Sequence, residues 1–198
     1  MSKQEIMDEV ASEVKACRKC GLWKKRRNAV PGEGNLDADV MFIGEAPGYW
    51  EDVKGKPFVG AAGEILDEML LKVGLSRHQV YITNVLKCRP PENRDPSASE
   101  IKTCTPYLDR QIRTIKPKII VTLGRHSTSY ILSPSGTKVT GITKLHGKKY
   151  NVELSGFPVL VIPMYHPAAV LYNPKYRRDL QRDFQLLRCA LRNRKSDC

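Results

Sequence analysis

Three short segments carry the side chains best able to do chemistry. Gly44-Glu45-Ala46-Pro47-Gly48-Tyr49-Trp50-Glu51-Asp52 sets carboxylates among backbone-permissive glycines. Asn84 falls late in an apolar run, and its amide offers a donor and an acceptor together, the arrangement that reads a base edge. Met164-Tyr165-His166-Pro167 fixes a histidine between a strand and a helix start. A fourth segment, Lys56-Pro57-Phe58-Val59-Gly60, carries an aromatic ring that is either core or a stacking platform. Each has a plainer reading on its own: a βα turn with surface acids, a turn asparagine, a structural histidine. The first segment is neither a G-x-G-x-x-G fingerprint nor a P-loop, since no Gly-Lys-Ser/Thr follows.

The chain has six cysteines: 17, 20, 88, 104, 189 and 198. No signal peptide precedes them, so a reducing compartment and free or metal-bound thiols are expected rather than disulfides. Cys17-x-x-Cys20 can hold one metal centre, and Cys88 and Cys104 form a second, wider pair. Four thiolates suit tetrahedral zinc or an iron–sulfur cluster. The wide pair suits a larger cubane with one thiolate per iron, but spacing alone leaves the metal open. Cys189 reads as filler on the apolar side of a helix, and Cys198 as a free terminal thiol.

Charge supplies the partner. Lys and Arg total 33 against 21 Asp and Glu, a formal net charge of +12 over 198 residues. So basic a chain usually meets a polyanion. The excess is clustered, in Lys15–Arg27 and again in Lys175–Lys195. A carboxylate facing DNA costs electrostatic energy, so the acids of residues 45–52 should have a local role. With 41% hydrophobic residues a packed core is expected, and no apolar run approaches the ~18 residues of a membrane span. Collagen, coiled coil, membrane protein and disulfide scaffold are excluded on these counts.

The elements that must position these groups follow from periodicity. Residues 2–16 read as a short helix, and 39–44 as a buried strand ending in a Gly/Pro turn. Ile65, Leu66, Met69, Leu70 and Val73 recur at helical spacing, with Gly74 as the C′ glycine. Residues 80–86, 119–124 and 159–162 read as three further strands. Ser97-x-x-Glu100 is a capping box, after which Pro106 should interrupt the helix. Residues 138–153 read as a hairpin turning at Gly147. Leu180, Phe184, Leu187 and Leu191 give a terminal helix one apolar face. Short apolar strands alternating with helices imply an α/β three-layer sandwich, a mainly parallel four-stranded sheet covered on both faces, in one domain over 1–198. In such sheets the site lies beyond the carboxyl ends of the strands. Glu45, Asn84 and His166 all fall there and can converge.

From the residues alone, three readings stay open: an enzyme acting on nucleic acid, a metal-stapled binding module, and an iron–sulfur redox protein. The binding module leaves Glu45, Asn84 and His166 unexplained, and the redox protein leaves the charge unexplained.

Taken together, "GEAPGYWED", "KPFVGAAG", "YITNVLKCRPPENR" and "MYHPAAVL", in this order and with cysteines at 17, 20, 88 and 104, closely resemble the family 4 uracil-DNA glycosylases. That is the iron–sulfur branch of the uracil-DNA glycosylase superfamily. The likeness runs from about Cys17 to the terminal helix. It implies a uracil-DNA glycosylase-like fold and a monofunctional repair enzyme. Such an enzyme flips deoxyuridine out of DNA and hydrolyses its N-glycosidic bond without cutting the strand.

The resemblance also assigns roles. Phe58 would stack on the uracil, and Asn84 would bond its N3–H and O4 edge. The turn of Gly44, Glu45, Ala46 and Pro47 would present backbone N–H groups to the base. Gly48 stands where the best-known uracil-DNA glycosylases have a thymine-excluding tyrosine, which makes Glu51 the substitute candidate. His166, as a neutral imidazole, would stabilise the leaving uracil anion at O2. Ala46 stands where related families place a water-positioning Asp, so the role passes to the adjacent Glu45. Family 5 enzymes also resemble this chain but lack that Glu. Val170 or Leu171 would wedge into the gap left by the flipped base. Ala168 cannot donate to a phosphate, so backbone or arginine must grip it. Cys17, Cys20, Cys88 and Cys104 would hold a structural [4Fe–4S] cluster, tying the basic 15–27 segment to the body and setting Arg89 and Arg94 near DNA. Uracil-containing DNA, single- or double-stranded, is the expected partner of a monomer in a prokaryotic cytoplasm, associated with the nucleoid. A sliding clamp is a further candidate partner, although no docking peptide stands out. A glycosylase acting on another base, such as hypoxanthine, is the near alternative.

Overall fold

The structure is a computed structural model that describes residues 1–192. Arg194 and Lys195, at the end of the basic C-terminal run, and Cys198 lie outside the described residues.

The six-stranded sheet is built from β1 (Glu33–Gly34), β2 (Val40–Gly44), β3 (Tyr81–Asn84), β4 (Ile119–Leu123), β5 (Tyr150–Leu154) and β6 (Phe157–Met164). Its order is β1-β3-β2-β4-β6-β5. The four inner strands run parallel and are the four expected; an antiparallel strand is added at each edge. The expected four-stranded sheet is therefore corrected to six. β1 is two residues long, too short to carry a periodic signal. It forms because Gly34 takes a positive φ of 133° against β3, where a Cβ would lie 2.1 Å from the Val80 carbonyl oxygen.

β5 corrects the expected hairpin. The turn is not at Gly147 but at Ser155-Gly156, both at positive φ (53° and 84°), joining Leu154 to Phe157. Two consecutive positive φ values make the two-residue turn that matches strand twist. Gly147 instead donates its N–H to Pro163 O at 3.0 Å.

Period-two alternation in the inner strands feeds both layers. Val40 and Phe42, with Ile82, Val121 and Ile162, meet α3 (Ala61–Lys72), α6 (Ala168–Tyr172) and α7 (Tyr176–Arg192). Met41 and Ile43, with Tyr81, Ile120 and Val161, meet α1 (Lys3–Ala16), α4 (Ala98–Ile115) and α5 (Arg125–Leu132). A short helix α2 (Tyr49–Lys54) follows β2 at the carboxyl end of the sheet. Both expected caps form: Ser97 accepts from the Glu100 N–H, and Gly74, at φ 75°, closes α3.

Pro106 does not interrupt α4, contrary to expectation. An interior proline costs about 3 kcal/mol. Here Thr105, Tyr107, Leu108, Gln111 and Ile112 are buried around it while Pro106 faces solvent, so packing on the core side outweighs the missing hydrogen bond.

Candidate active site

The chain crosses from one half of the sheet to the other between β2 and β4, which makes that crevice the topological switch point. A cavity of about 420 Å³ opens there, lined among others by Glu45, Ala46, Pro47, Gly48, Glu51, Phe58, Asn84, Arg94 and His166. A larger hollow of about 900 Å³ lies at the opposite ends of the strands, around Asp39 and Lys118, away from these groups.

Gly44 and Asn84 are register partners across β2 and β3. A Cβ at Gly44 would lie 2.3 Å from Asn84 Oδ1 and 2.7 Å from Phe58 Cζ. The glycine is what lets amide and ring approach the same floor. Asn84 is 2% exposed, and its Oδ1 has no hydrogen-bond partner among the described residues. A buried acceptor without a donor costs about 1–3 kcal/mol, so this atom is poised for a donor on a bound molecule. From behind, the buried Lys87 Nζ donates to Asn84 O (2.8 Å), Thr83 Oγ1 (2.6 Å) and Gln111 Oε1 (2.7 Å). Burial pulls its ammonium down to about 7.

Phe58 sits at φ 50°, a left-handed conformation that a non-glycine residue holds only when its surroundings fix it. Arg77 donates to the Pro57 carbonyl at 3.1 Å and also to the Phe58 carbonyl. Gly63 leaves room for that carbonyl, which a Cβ would meet at 1.9 Å. Glu51 completes the clamp, accepting from the backbone N–H groups of Gly48 (3.1 Å), Val59 (2.8 Å) and Gly60 (2.9 Å). Its carboxylate thus reaches the cavity as a brace between two walls.

His166 Nδ1 accepts from the Ala168 N–H at 3.1 Å. The proton of a neutral ring then sits on Nε2, which leaves Nε2–H as the donor. Burial pushes the imidazole down to about 4, with Glu51 pulling slightly the other way, so the ring is neutral near pH 7.

Glu45 lies over Gly124 at the end of β4, where a Cβ would be 2.5 Å from Oε1. Burial raises its carboxyl from the usual range. The charges of His126 and Arg125 pull it back, and Asp95 adds to the rise. His126 Nε2 is 3.6 Å from Glu45 Oε2 and 3.5 Å from Asp95 Oδ2, and Arg125 pairs with Asp95 at 2.8 Å. Sequence reasoning missed Arg125 and His126. The signal was present, because they follow the third inner strand just as Glu45 follows the first.

Other expected residues are placed less directly. Val170 is 4% exposed and packed in the core, so it cannot leave to enter DNA. The wedge expectation is corrected there, while Leu171 (51% exposed) and Tyr172 (89%) project outward. Arg94 lines the cavity but is held by Glu100 through two bonds, at 2.9 and 2.6 Å. Arg89 bonds Asn93 at 2.7 Å and lies over the Tyr49 ring.

Cys17, Cys20, Cys88 and Cys104 wall one pocket with Leu22, Lys87 and Tyr107. Arg26 donates to Cys88 Sγ at 3.0 Å, and the Lys87 N–H to Cys104 Sγ at 3.2 Å. Among the described residues no three His, Cys, Asp or Glu side chains are grouped to hold a single metal ion. Four sulfurs around a shared pocket, two of them receiving N–H donors, form a donor set that fits a thiolate-bound metal centre. Cys189 is partly buried on α7.

A family model described as "Uracil DNA glycosylase superfamily" matches residues 31–188. The chain belongs to that superfamily. Within it, the type-4 branch is the one that fits: the chain is 55% identical over 186 residues to a type-4 uracil-DNA glycosylase of Saccharolobus solfataricus, covering 93% of this chain and 86% of that protein. A type-4 uracil-DNA glycosylase of Sulfurisphaera tokodaii is 56% identical over 93% of this chain and 84% of its own length. One from Archaeoglobus fulgidus is 51% identical over 91% of each. In uracil-DNA glycosylase terms, the cavity at the β2–β4 crevice is the candidate base pocket.

Proposed function

We propose that this chain excises uracil from DNA, hydrolysing the N-glycosidic bond of a flipped deoxyuridine and leaving an abasic site in an uncut strand. The observation that carries this reading is the unpartnered Asn84 Oδ1. Uracil N3–H is the donor it lacks, and the Asn84 amide N–H then meets O4. Cytosine has no N3–H and carries an amino group at C4, so it would leave both partners unpaired, a mismatch worth about 10⁴-fold in a site built for hydrogen bonds. Phe58 gives the ring a stacking wall. Its clamp by Glu51, Arg77 and Gly63 fixes the width of the slot, and that width, together with the Gly48 wall braced by Glu51, excludes the 5-methyl of thymine.

Bond cleavage leaves the sugar oxocarbenium-like and the electron pair on uracil. His166 Nε2–H donates to the charge growing at O2, and a neutral imidazole suffices. Glu45, ionised, orients a water toward C1′ and takes its proton as the C–O bond forms. Uracil leaves as its anion and takes up a proton from solvent, to which Glu45 returns the one it accepted, so the products are uracil and an abasic deoxyribose. Leu171 and Tyr172 would fill the vacated stack, a role their exposure supports. Cys17, Cys20, Cys88 and Cys104 are the residues that would hold a [4Fe–4S] cluster. When bound, it supplies a cross-link between the 17–20 arm and the loop that follows Asn84, and no step of the hydrolysis passes through it. The natural setting is a prokaryotic nucleoid; no helix among the described residues is long and apolar enough to cross a membrane. The chain acts as one domain and a monomer, with a sliding clamp as a further partner.

Product inhibition tests the base assignment. Free uracil should compete with substrate and cytosine should not, and Asn84→Ala should abolish the difference. Equal inhibition by both bases in the wild type would overturn the role of Asn84.

A further inference from the structure

A second open feature lies beyond α2 from the base pocket. It is a groove of about 700 Å³ lined by Lys15, Arg18, Arg26, Arg27, Lys54 and Trp23, with no carboxylate of the described residues in its wall. Arg26 is spent inside the protein, donating to Cys88 Sγ and to the carbonyl of Lys15 at 2.5 Å. Lys15, Arg18, Arg27 and Lys54 are exposed. None of these four makes an ion pair among the described residues.

Aromatic rings accompany these charges. The Arg18 guanidinium lies 5.0 Å from the centre of the Trp23 ring, and that of Arg27 lies 5.5 Å from Tyr49. Lys54 stands 6.0 Å over Trp50, and Tyr49 and Trp50 meet edge to face at 5.2 Å. Both rings are exposed large apolar groups, at 42% and 53%. The two acids of α2 point the other way. Glu51 braces the cavity wall, and Asp52, 4% exposed, accepts from the Arg27 N–H at 2.9 Å. α2 therefore turns carboxylates inward and offers cations and rings outward. It spans the gap, with Gly48 and Glu51 at the base pocket and Lys54 at the groove.

We propose that this groove carries the single-stranded DNA flanking the flipped nucleotide on one side only, its bases stacking at Tyr49 and Trp50 and its phosphates meeting Arg18, Arg27 and Lys54. The proposal rests on the reading of the pocket as a uracil site. Rings interleaved with unpaired cations are what a single strand requires, since every base has a face to stack and every nucleotide a phosphate. A paired duplex hides its base faces, and an acidic peptide offers nothing to the rings.

The test uses the full chain and single-stranded oligonucleotides with one 2′-fluoro-deoxyuridine, whose glycosidic bond resists hydrolysis. One series lengthens the flank on the 5′ side, the other on the 3′ side, and fluorescence anisotropy reads affinity. Lengthening one flank should tighten binding by about tenfold or more, and lengthening the other should change it little. Arg18→Ala with Lys54→Ala should remove that gain and flatten the slope of log affinity against log salt by about 1.4, roughly 0.7 per lost phosphate contact on a single strand. Tyr49→Ala should weaken the same flank with the slope unchanged. Circular dichroism confirms that each variant is folded. Equal gains from both flanks, or a double variant that keeps gain and slope, would overturn the groove. Uracil release by the wild type is scored separately. Its absence beside a one-sided, salt-sensitive gain would remove the enzymatic reading and leave the groove standing.

Discussion

The imidazole of His166 lies against the ring of Phe58, with centroids 5.5 Å apart and planes 26° from parallel. One ring comes from the turn after β6 and the other from the loop before α3, yet they form a single wall of the base pocket. The stack buries His166 on one side while the Ala168 N–H fixes its tautomer on the other. The group proposed to stabilise the leaving base is thus positioned by the group proposed to stack on it.

His166→Asn should lower the rate of uracil release by about 10²–10³-fold with substrate binding retained, the usual loss for one donor to a developing anion. Single-turnover rates and binding constants on the same oligonucleotide separate the two. Unchanged single-turnover rates would remove His166 from the chemistry.

The same histidine sets a pH dependence of stability. Its folded value is pushed down to about 4 from an ordinary 6.5, so the unfolded chain binds the proton that the folded chain refuses. Stability therefore rises with pH across that window, and is lost as pH falls from about 6.5 toward 4. Thermal melts of wild type and His166→Phe over this range check it. The wild-type melting temperature should fall more steeply on acidification, and parallel curves would show that burial of the imidazole carries no such cost.

Glu45 must be ionised to hold water, and burial raises its pKa. Uracil release should fall as pH drops through that raised value. The charged groups facing it are His126, Arg125 and Asp95. A protonated His126 favours the carboxylate, so His126→Ala should move the acid limb of the rate profile to higher pH, while Glu45→Gln should cost about 10²-fold or more. A rate profile that keeps its acid limb in His126→Ala would show that the 3.6 Å contact does not govern the carboxylate.

Gly44→Ala tests the floor of the pocket. Its Cβ would overlap both Asn84 Oδ1 and Phe58 Cζ. Displacing reading and stacking groups by about 1 Å costs on the order of 10²-fold in rate. A fully active variant, judged by steady-state uracil release, would mean that the pocket yields more than the fit of these three residues allows.

Much of this architecture was legible in the residues. The inner strands announced themselves because they are short apolar runs buried on both faces, and their ends carried Glu45, Asn84 and His166. What escaped was whatever tertiary contact decides. β1 exists through one glycine backed against β3. The β5–β6 turn depended on Ser155 accepting a positive φ, which serine does not signal. Pro106 stays in α4 because it faces solvent while the opposite side of the helix, around Thr105, Tyr107 and Leu108, is packed in the core. Glu51 read only as the substitute for a thymine-excluding tyrosine, because two of the three backbone N–H groups it holds come from a loop eight and nine positions on. Val170 and Leu171 were equivalent by sequence, and only burial separates core from surface. Lys87 gave no sign that it would be buried behind Asn84.

The most direct test of the central claim is release of uracil from an oligonucleotide bearing one deoxyuridine, followed by alkaline cleavage of the abasic site. Strands carrying cytosine, thymine or hypoxanthine at the same position run beside it. Cleavage only after alkali, and only at uracil, is the predicted result. Protein that binds the strand yet leaves every base in place, or that releases cytosine as readily as uracil, would contradict it.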